Sequence, residues 1–157
     1  MNISACGIDF GTSNSTVAIA DGGPARLLPL EDGKPTLPSA VFFNLDEDSM
    51  AVGRAALAEY LEGYEGRLMR SMKSLLGSGL MDAGTDVGGR HLAFRDLIGG
   101  FIGEVKKRAE TAARTRFDQV VVGRPVRFVD DDADADRLAE DTLADIVRRA
   151  GFRDVSF

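Results

Sequence analysis

An apolar run of strand length, Gln119-Val120-Val121-Val122, stops at Gly123 and Pro125 and is followed directly by a helical pattern. Bounded by turn residues in this way, it reads as a buried central strand. In the pattern after it, Leu138, Leu143, Ile146, Val147 and Ala150 form the inward stripe, acidic residues crowd the start, and Arg148-Arg149 precede Gly151. Negative charge in the first turn, positive charge in the last and a glycine just beyond are what a helix dipole and a left-handed cap favour. Arg153–Phe157 then begins another strand, which makes a β-α-β unit with a crossover helix. A unit that stops as its second strand starts predicts a fragment of a longer polypeptide. The acidic run Asp130-Asp131-Asp132, with Asp134 and Asp136, lacks the glycine and glutamate of a calcium loop in the matching register, so helix capping is its expected role.

Upstream, Leu97, Ile98, Phe101, Ile102, Val105, Ala109 and Ala112 recur at three- and four-residue spacing and predict an amphipathic helix over about residues 92–115. Its outer face, Lys106, Lys107 and Arg108, reads as a solvated surface. The first third is strand-like: Ile3–Phe10, Thr16–Ala20, a turn at Asp21-Gly22-Gly23-Pro24, Ala25–Leu30 and later Ser39–Leu45, a meander of short antiparallel strands. The prolines of Lys34-Pro35-Thr36-Leu37-Pro38 interrupt it. Ala55-Ala56-Leu57-Ala58 predicts a short helix, and Gly63 to Gly89 reads as an irregular, glycine-rich region long enough to suspect function.

With 157 residues, 44% of them hydrophobic, the chain is long enough for one core, and one globular domain is expected. Nineteen basic against twenty-five acidic residues give a net charge of −6, the wrong sign for a nucleic-acid partner. A nucleotide is not excluded by that sign, because backbone N–H groups and one lysine suffice for a single triphosphate. No run approaches a membrane span, Met1-Asn2-Ile3 does not open a secretory signal, and a cytoplasmic location is expected. The single cysteine, Cys6, reads as a buried strand residue. The glycan-acceptor patterns at Asn2 and Asn14 are discounted accordingly. His91 is the sole histidine, which leaves no histidine triad or multi-histidine metal site; it reads as a loop residue.

Chemistry concentrates at Gly7-Ile8-Asp9-Phe10-Gly11-Thr12-Ser13-Asn14-Ser15-Thr16. An aspartate ends an apolar strand, and a glycine with small hydroxyl residues leads into the next. A tight hairpin without bulky side chains lets successive N–H groups face one concave space, as phosphate oxygens require. Asp9 at its mouth would repel phosphate unless a hydrated magnesium ion intervened. The same residues also suit an ordinary hairpin, where they serve only as turn formers. No GxxxxGK[ST] loop and no GxGxxG after a strand is present.

Gly7–Ser15 closely resembles the first phosphate motif of DnaK-type chaperones of the 70 kDa heat-shock family, commonly G-I-D-L-G-T-T-N-S. Met72-Lys73-Ser74-Leu75-Leu76-Gly77 resembles the segment carrying their active-site lysine, and Val120-Val121-Val122-Gly123-Arg124-Pro125-Val126 their V-P-A-Y strand end. Lys73–Gly77, Gly123-Arg124-Pro125 and Arg149-Ala150-Gly151-Phe152-Arg153-Asp154-Val155 are most similar to the YegD-type branch. The resemblance implies an α/β fold of the actin-like ATPase class, ribonuclease H-like, with a mixed sheet and flanking helices. Residues 1 to about 35 and about 117 to 157 would build a core subdomain and about 36–116 an inserted one.

The resemblance further implies that Gly11, Thr12, Ser13 and Asn14 contact the phosphates of ATP or ADP, and that Asp9 holds Mg2+ through water. Lys73 would orient the attacking water or stabilise charge on the γ-phosphate. Arg124 departs from the small or apolar residue of V-P-A-Y, which weakens any transfer of a hinge role to Pro125. The parent protein is expected to be an ATPase, with polypeptide clients bound elsewhere in its chain and co-chaperones among its partners. This chain alone lacks the second phosphate loop, D-x-G-G-G-T, and is expected to be inactive. An actin-like small-molecule kinase and a non-catalytic interaction or filament protein are the alternatives; Lys73 favours the chaperone, since sugar kinases do not use this lysine motif.

Overall fold

The computed structural model describes residues 5–157. The expected strand start at Ile3 and the pattern at Asn2 lie outside the described residues. Strand β1 (Ala5–Phe10) runs antiparallel to β2 (Asn14–Ile19), with Phe10 opposite Ser15. Two short strands, β3 (Arg26–Leu27) and β4 (Leu37–Pro38), pair with β2. The strand expected over Ala25–Leu30 is cut to two residues. Leu28 still donates to the carbonyl of Val17 at 2.8 Å, but Pro29 has no N–H to continue the ladder.

On the other side of β1, β10 (Gln119–Gly123) runs parallel, and β11 (Asp154–Ser156) runs parallel to β10 after the crossover helix α3 (Ala133–Arg149). The resulting mixed sheet of six strands is ordered β11-β10-β1-β2-β3, with β4 beside β2. Its side chains alternate strictly. Cys6, Ile8, Phe10, Val17, Ile19, Val120 and Val122 point into one core, while Val121 is 53% exposed on the opposite face. The central strand is therefore buried on one face only. Helix α2 (Phe94–Ala113) covers the apolar face with Leu97, Ile98, Phe101, Ile102, Val105 and Ala109, joined by Leu143, Ile146 and Val147 of α3.

Three details of the helices differ from expectation. Leu138 is 59% exposed, because it lies about 100° around the helix from buried Ala139, which takes its place in the stripe. In the last turn of α2 it is Ala113, four residues after Ala109, that packs inward, and Ala112 is exposed. Lys106 and Arg108 are half-buried rather than solvated. Lys106 reaches Glu110 and lies 5.1 Å over the Phe152 ring, and Arg108 bonds Glu104 at 2.8 Å, because long stems lie readily along apolar surface.

The middle of the chain builds a second sheet of β5 (Ala40–Asn44) between β6 (Ser49–Val52) and β7 (Gly66–Arg70), with helix α1 (Arg54–Leu61) against it. The hairpin β8 (Gly84–Val87) and β9 (Arg90–Ala93) leads into α2. About half of the region expected to be irregular thus lies in regular elements. Its strands lack the apolar alternation that marks a strand in sequence, because β7 carries Gly66, Arg67 and Arg70 at exposed positions. His91 lies in β9, with Nδ1 3.0 Å from Asp86 Oδ1, and not in a loop. Among the described residues no helix is long and apolar enough to cross a membrane.

The two sheets meet at Glu31. Both carboxylate oxygens of this buried side chain accept from the Arg54 amide at the start of α1, at 2.8 and 3.1 Å. Arg54 and Arg108 add ion pairs at 3.2 and 3.5 Å. A carboxylate at a helix start satisfies an orphan donor and favours the dipole.

Candidate functional site

Between β1 and β2 the chain turns through Thr12 and Ser13 alone, closed by the Gly11 amide donating to the Asn14 carbonyl at 3.0 Å. A Cβ at Gly11 would collide with that same carbonyl, so the turn admits only glycine there. Neither Thr12 nor Ser13 has positive φ, whereas two-residue hairpins ordinarily use primed turns that require it. What fixes the turn instead is Ser39. Its amide donates to the Ser13 carbonyl at 2.9 Å and its hydroxyl to the Gly11 carbonyl at 2.8 Å. Since that hydroxyl has one proton, Ser15 Oγ, 2.9 Å away, must be the donor to Ser39 Oγ. Both serines are buried.

Thr12, Ser13 and Asn14 are exposed at the tip. The amides of Thr12 and Ser13 donate to no described residue, which leaves two N–H groups side by side for an anion. Asp9 stands on the open face of the sheet, opposite Thr16 on one side and Gly123 on the other. A Cβ at Gly123 would make only ordinary contact with Asp9 Oδ1, at 3.8 Å, so Gly123 lies directly beside the carboxylate. Asp9 forms no ion pair among the described residues, and no group of three potential metal ligands is found there. A single free carboxylate suits a cation that retains most of its water, as magnesium does, and not a protein-caged metal.

Lys73 lies in a 3₁₀ turn, Met72–Leu75, entered through Ser71 in a left-handed conformation at φ 56°. Met72 and Leu76 are buried on either side and anchor the turn in the main core. Lys73 itself is half-buried and forms no ion pair among the described residues. Gly77 closes this segment at φ 78°, where a Cβ would come within 2.5 Å of Val129 and 3.3 Å of Ala139. The lysine segment therefore leans on α3 and on the loop before it.

The structure brings Thr12 and Ser13 together with the end of β7. They share an open cleft of about 220 Å³ with Pro38, Ser39, Ala40, Leu57, Arg70 and Ser71. Arg70 and Ser71 precede Lys73 by three and two residues; no bond joins Lys73 to Asp9 or to Gly11–Asn14. Neither Ser39 nor Arg70 stands out in sequence. Ser39 looks like a strand residue after a proline, and only the pairing of distant segments places it under the turn.

Past β10, Arg124 fastens the loop to α3. Its guanidinium bonds Asp136 at 2.9 Å, pairs with Glu140 and stands 5.1 Å over the Phe128 ring. Asp136 also accepts from the amides of Phe128 and Val129. The Phe128 amide first, then Arg124, holds the Asp136 carboxyl below its usual range, and the bond to Asp136 raises the Arg124 guanidinium. Asp132 caps α3, accepting from the Ala135 amide at 2.9 Å, so the acidic run serves the helix start as expected. Burial pushes the Cys6 thiol up to about 12, which leaves it a protonated core residue.

The hairpin tip, the free carboxylate and the lysine turn sit within or beside a single matched stretch: a family model described as Hsp70 protein covers residues 5–95, more than half of the chain. That match carries the fold with it, a mixed α/β lobe of the kind that serves as the ATPase part of these chaperones. The chain belongs to the Hsp70 family.

Proposed function

We propose that this chain is the phosphate-binding half of a chaperone ATPase lobe, in which Gly11, Thr12, Ser13 and Asn14 hold the phosphates of ATP or ADP. The observation that carries the reading is the hairpin tip: its two free amides stand on a turn of unusual hand that Ser39 holds closed. An ordinary hairpin needs no such tether. Asp9 would hold Mg2+ through water, and bound magnesium offsets charge on the phosphate oxygens. Lys73, half-buried and without a carboxylate partner among the described residues, would place its ammonium against the terminal phosphate or the attacking water.

The wider reading follows the resemblance. Arg124 and the lysine segment favour the YegD-type branch, with residues 1 to about 35 and about 117 to 157 as a core subdomain and about 36–116 as an inserted one. Hydrolysis would belong to a longer protein in the cytoplasm that supplies the second phosphate loop, the adenosine pocket and a binding segment for polypeptide clients, with co-chaperones among its partners.

Calorimetry with MgADP on the 157-residue chain tests the site. Binding should be weak, lost in Gly11→Val and Asp9→Ala, and retained in Cys6→Ala. Retention in Gly11→Val would overturn the assignment of the loop.

A further inference from the structure

We propose that Arg70 is a further phosphate-binding residue, holding the same phosphate groups as the Gly11–Asn14 turn in the cleft they share. This rests on the phosphate-loop reading of that turn. In β7, Leu68 packs toward Ala40, Phe42 and Ala56 beneath α1. Side chains two apart on a strand share a face, so Arg70 emerges on that same face, opposite Ala40 in the register. Leu57 of α1, Ala40, Thr12 and Ser13 line the same cleft as Arg70.

Three features make this cleft a phosphate site. Arg70 is exposed, and its guanidinium forms no ion pair or hydrogen bond with any described residue. Four hydroxyl residues line the cleft together with Arg70, and no carboxylate does; Thr12, Ser13 and Ser71 keep their hydroxyl protons for a ligand, whereas Ser39 donates its own to the Gly11 carbonyl. The unused amides of Thr12 and Ser13 belong to two of those residues. A guanidinium, hydroxyl donors and free amides around one space recognise a multiply charged oxyanion, which a planar fork binds through two oxygens at once. Ser71 supplies the turn that makes this placement: its left-handed backbone ends β7 at Arg70 and redirects the chain so that Lys73 follows in a different element.

The test is titration of the 157-residue chain with magnesium pyrophosphate and, separately, MgADP, followed by calorimetry and by the Arg70 Nε–Hε resonance. Arg70→Gln should weaken both ligands about tenfold or more, since a charge-assisted bond is lost, while Arg70→Lys retains part of the affinity. Arg67→Gln, one strand face away, should change neither. The Arg70 Nε resonance of the unaltered chain should shift with pyrophosphate; a resonance that stays fixed overturns the proposal even if Arg70→Gln fails to fold. Loss in both Gly11→Val and Arg70→Gln supports the shared site. Loss in Gly11→Val alone overturns the role of Arg70 and leaves the turn as the phosphate loop. Loss in Arg70→Gln alone overturns the turn reading, and no binding by the unaltered chain overturns both. A loss confined to MgADP would mean that Arg70 meets base or ribose, and would overturn the assignment to phosphate.

Discussion

The Ser39 hydroxyl donates to the Gly11 carbonyl at 2.8 Å, joining the start of the second sheet to a hairpin twenty-eight residues earlier. The same hydroxyl accepts from Ser15, so one buried atom ties both ends of the turn. Removing it strands the buried Ser15 hydroxyl and the part-buried Gly11 carbonyl. Ser39→Ala is therefore expected to destabilise the chain by about 1–3 kcal/mol in urea titration. MgADP binding should fall as well, because only the Ser39 amide, bonded to the Ser13 carbonyl, would then oppose relaxation of the turn toward a primed geometry. Undiminished stability would show that water replaces the hydroxyl.

Lys73 has no carboxylate partner among the described residues, so its charge contributes little to folding. Lys73→Ala should change stability by about 1 kcal/mol or less. In a protein that carries the complete proposed ATPase site, the same change should slow ATP hydrolysis far more than it weakens ATP binding, since stabilisation confined to the transition state acts on turnover. Parallel losses in single-turnover rate and in nucleotide affinity would reduce Lys73 to an anchor.

The Arg124–Asp136 pair predicts an acid response. The folded Asp136 carboxyl is lowered relative to the unfolded chain, so its contribution is present above the ordinary carboxylate range and lost as pH falls through the lowered value. Below about pH 4, where free aspartates protonate, the amides of Phe128 and Val129 should begin to exchange faster with solvent. Because Val129 abuts Gly77, Ser78 should follow them. Asp136→Asn should shift the onset to higher pH or abolish it. An onset unchanged in that variant would assign the transition to other acids.

Cys6 is expected to resist alkylation in the folded state at pH 8, and to react at once in denaturant. Its folded thiol, raised to about 12 by burial, stays protonated where the unfolded thiol ionises near 9. Stability should therefore decline between about pH 9 and 12 by linkage, and Cys6→Ala should remove that part of the decline. Labelling of the native chain at pH 8 would contradict the burial.

The patterns legible in sequence were those with a local period. Residues 94–113 announced a helix through their apolar stripe, Gln119–Val122 announced a strand, and Asp132 with Asp134 and Asp136 announced the start of α3, because helix and strand periodicity and capping act over a few residues. The residue types of the Gly7–Thr16 turn were equally plain, though alone they suited an ordinary hairpin as well as a phosphate loop. Long-range pairing was not legible. Nothing local says that Ser39 lies under Gly11, that Glu31 caps a helix starting at Arg54, that Arg124 reaches Asp136, or that Arg70 opens beside Thr12. All but the Arg124 contact depend on how two sheets meet, and the free energy that decides it comes from burying Phe10, Phe101, Met72 and Leu37 together. Sequence thus determined which residues have the chemistry of a phosphate site, and tertiary structure decided which of them share one space.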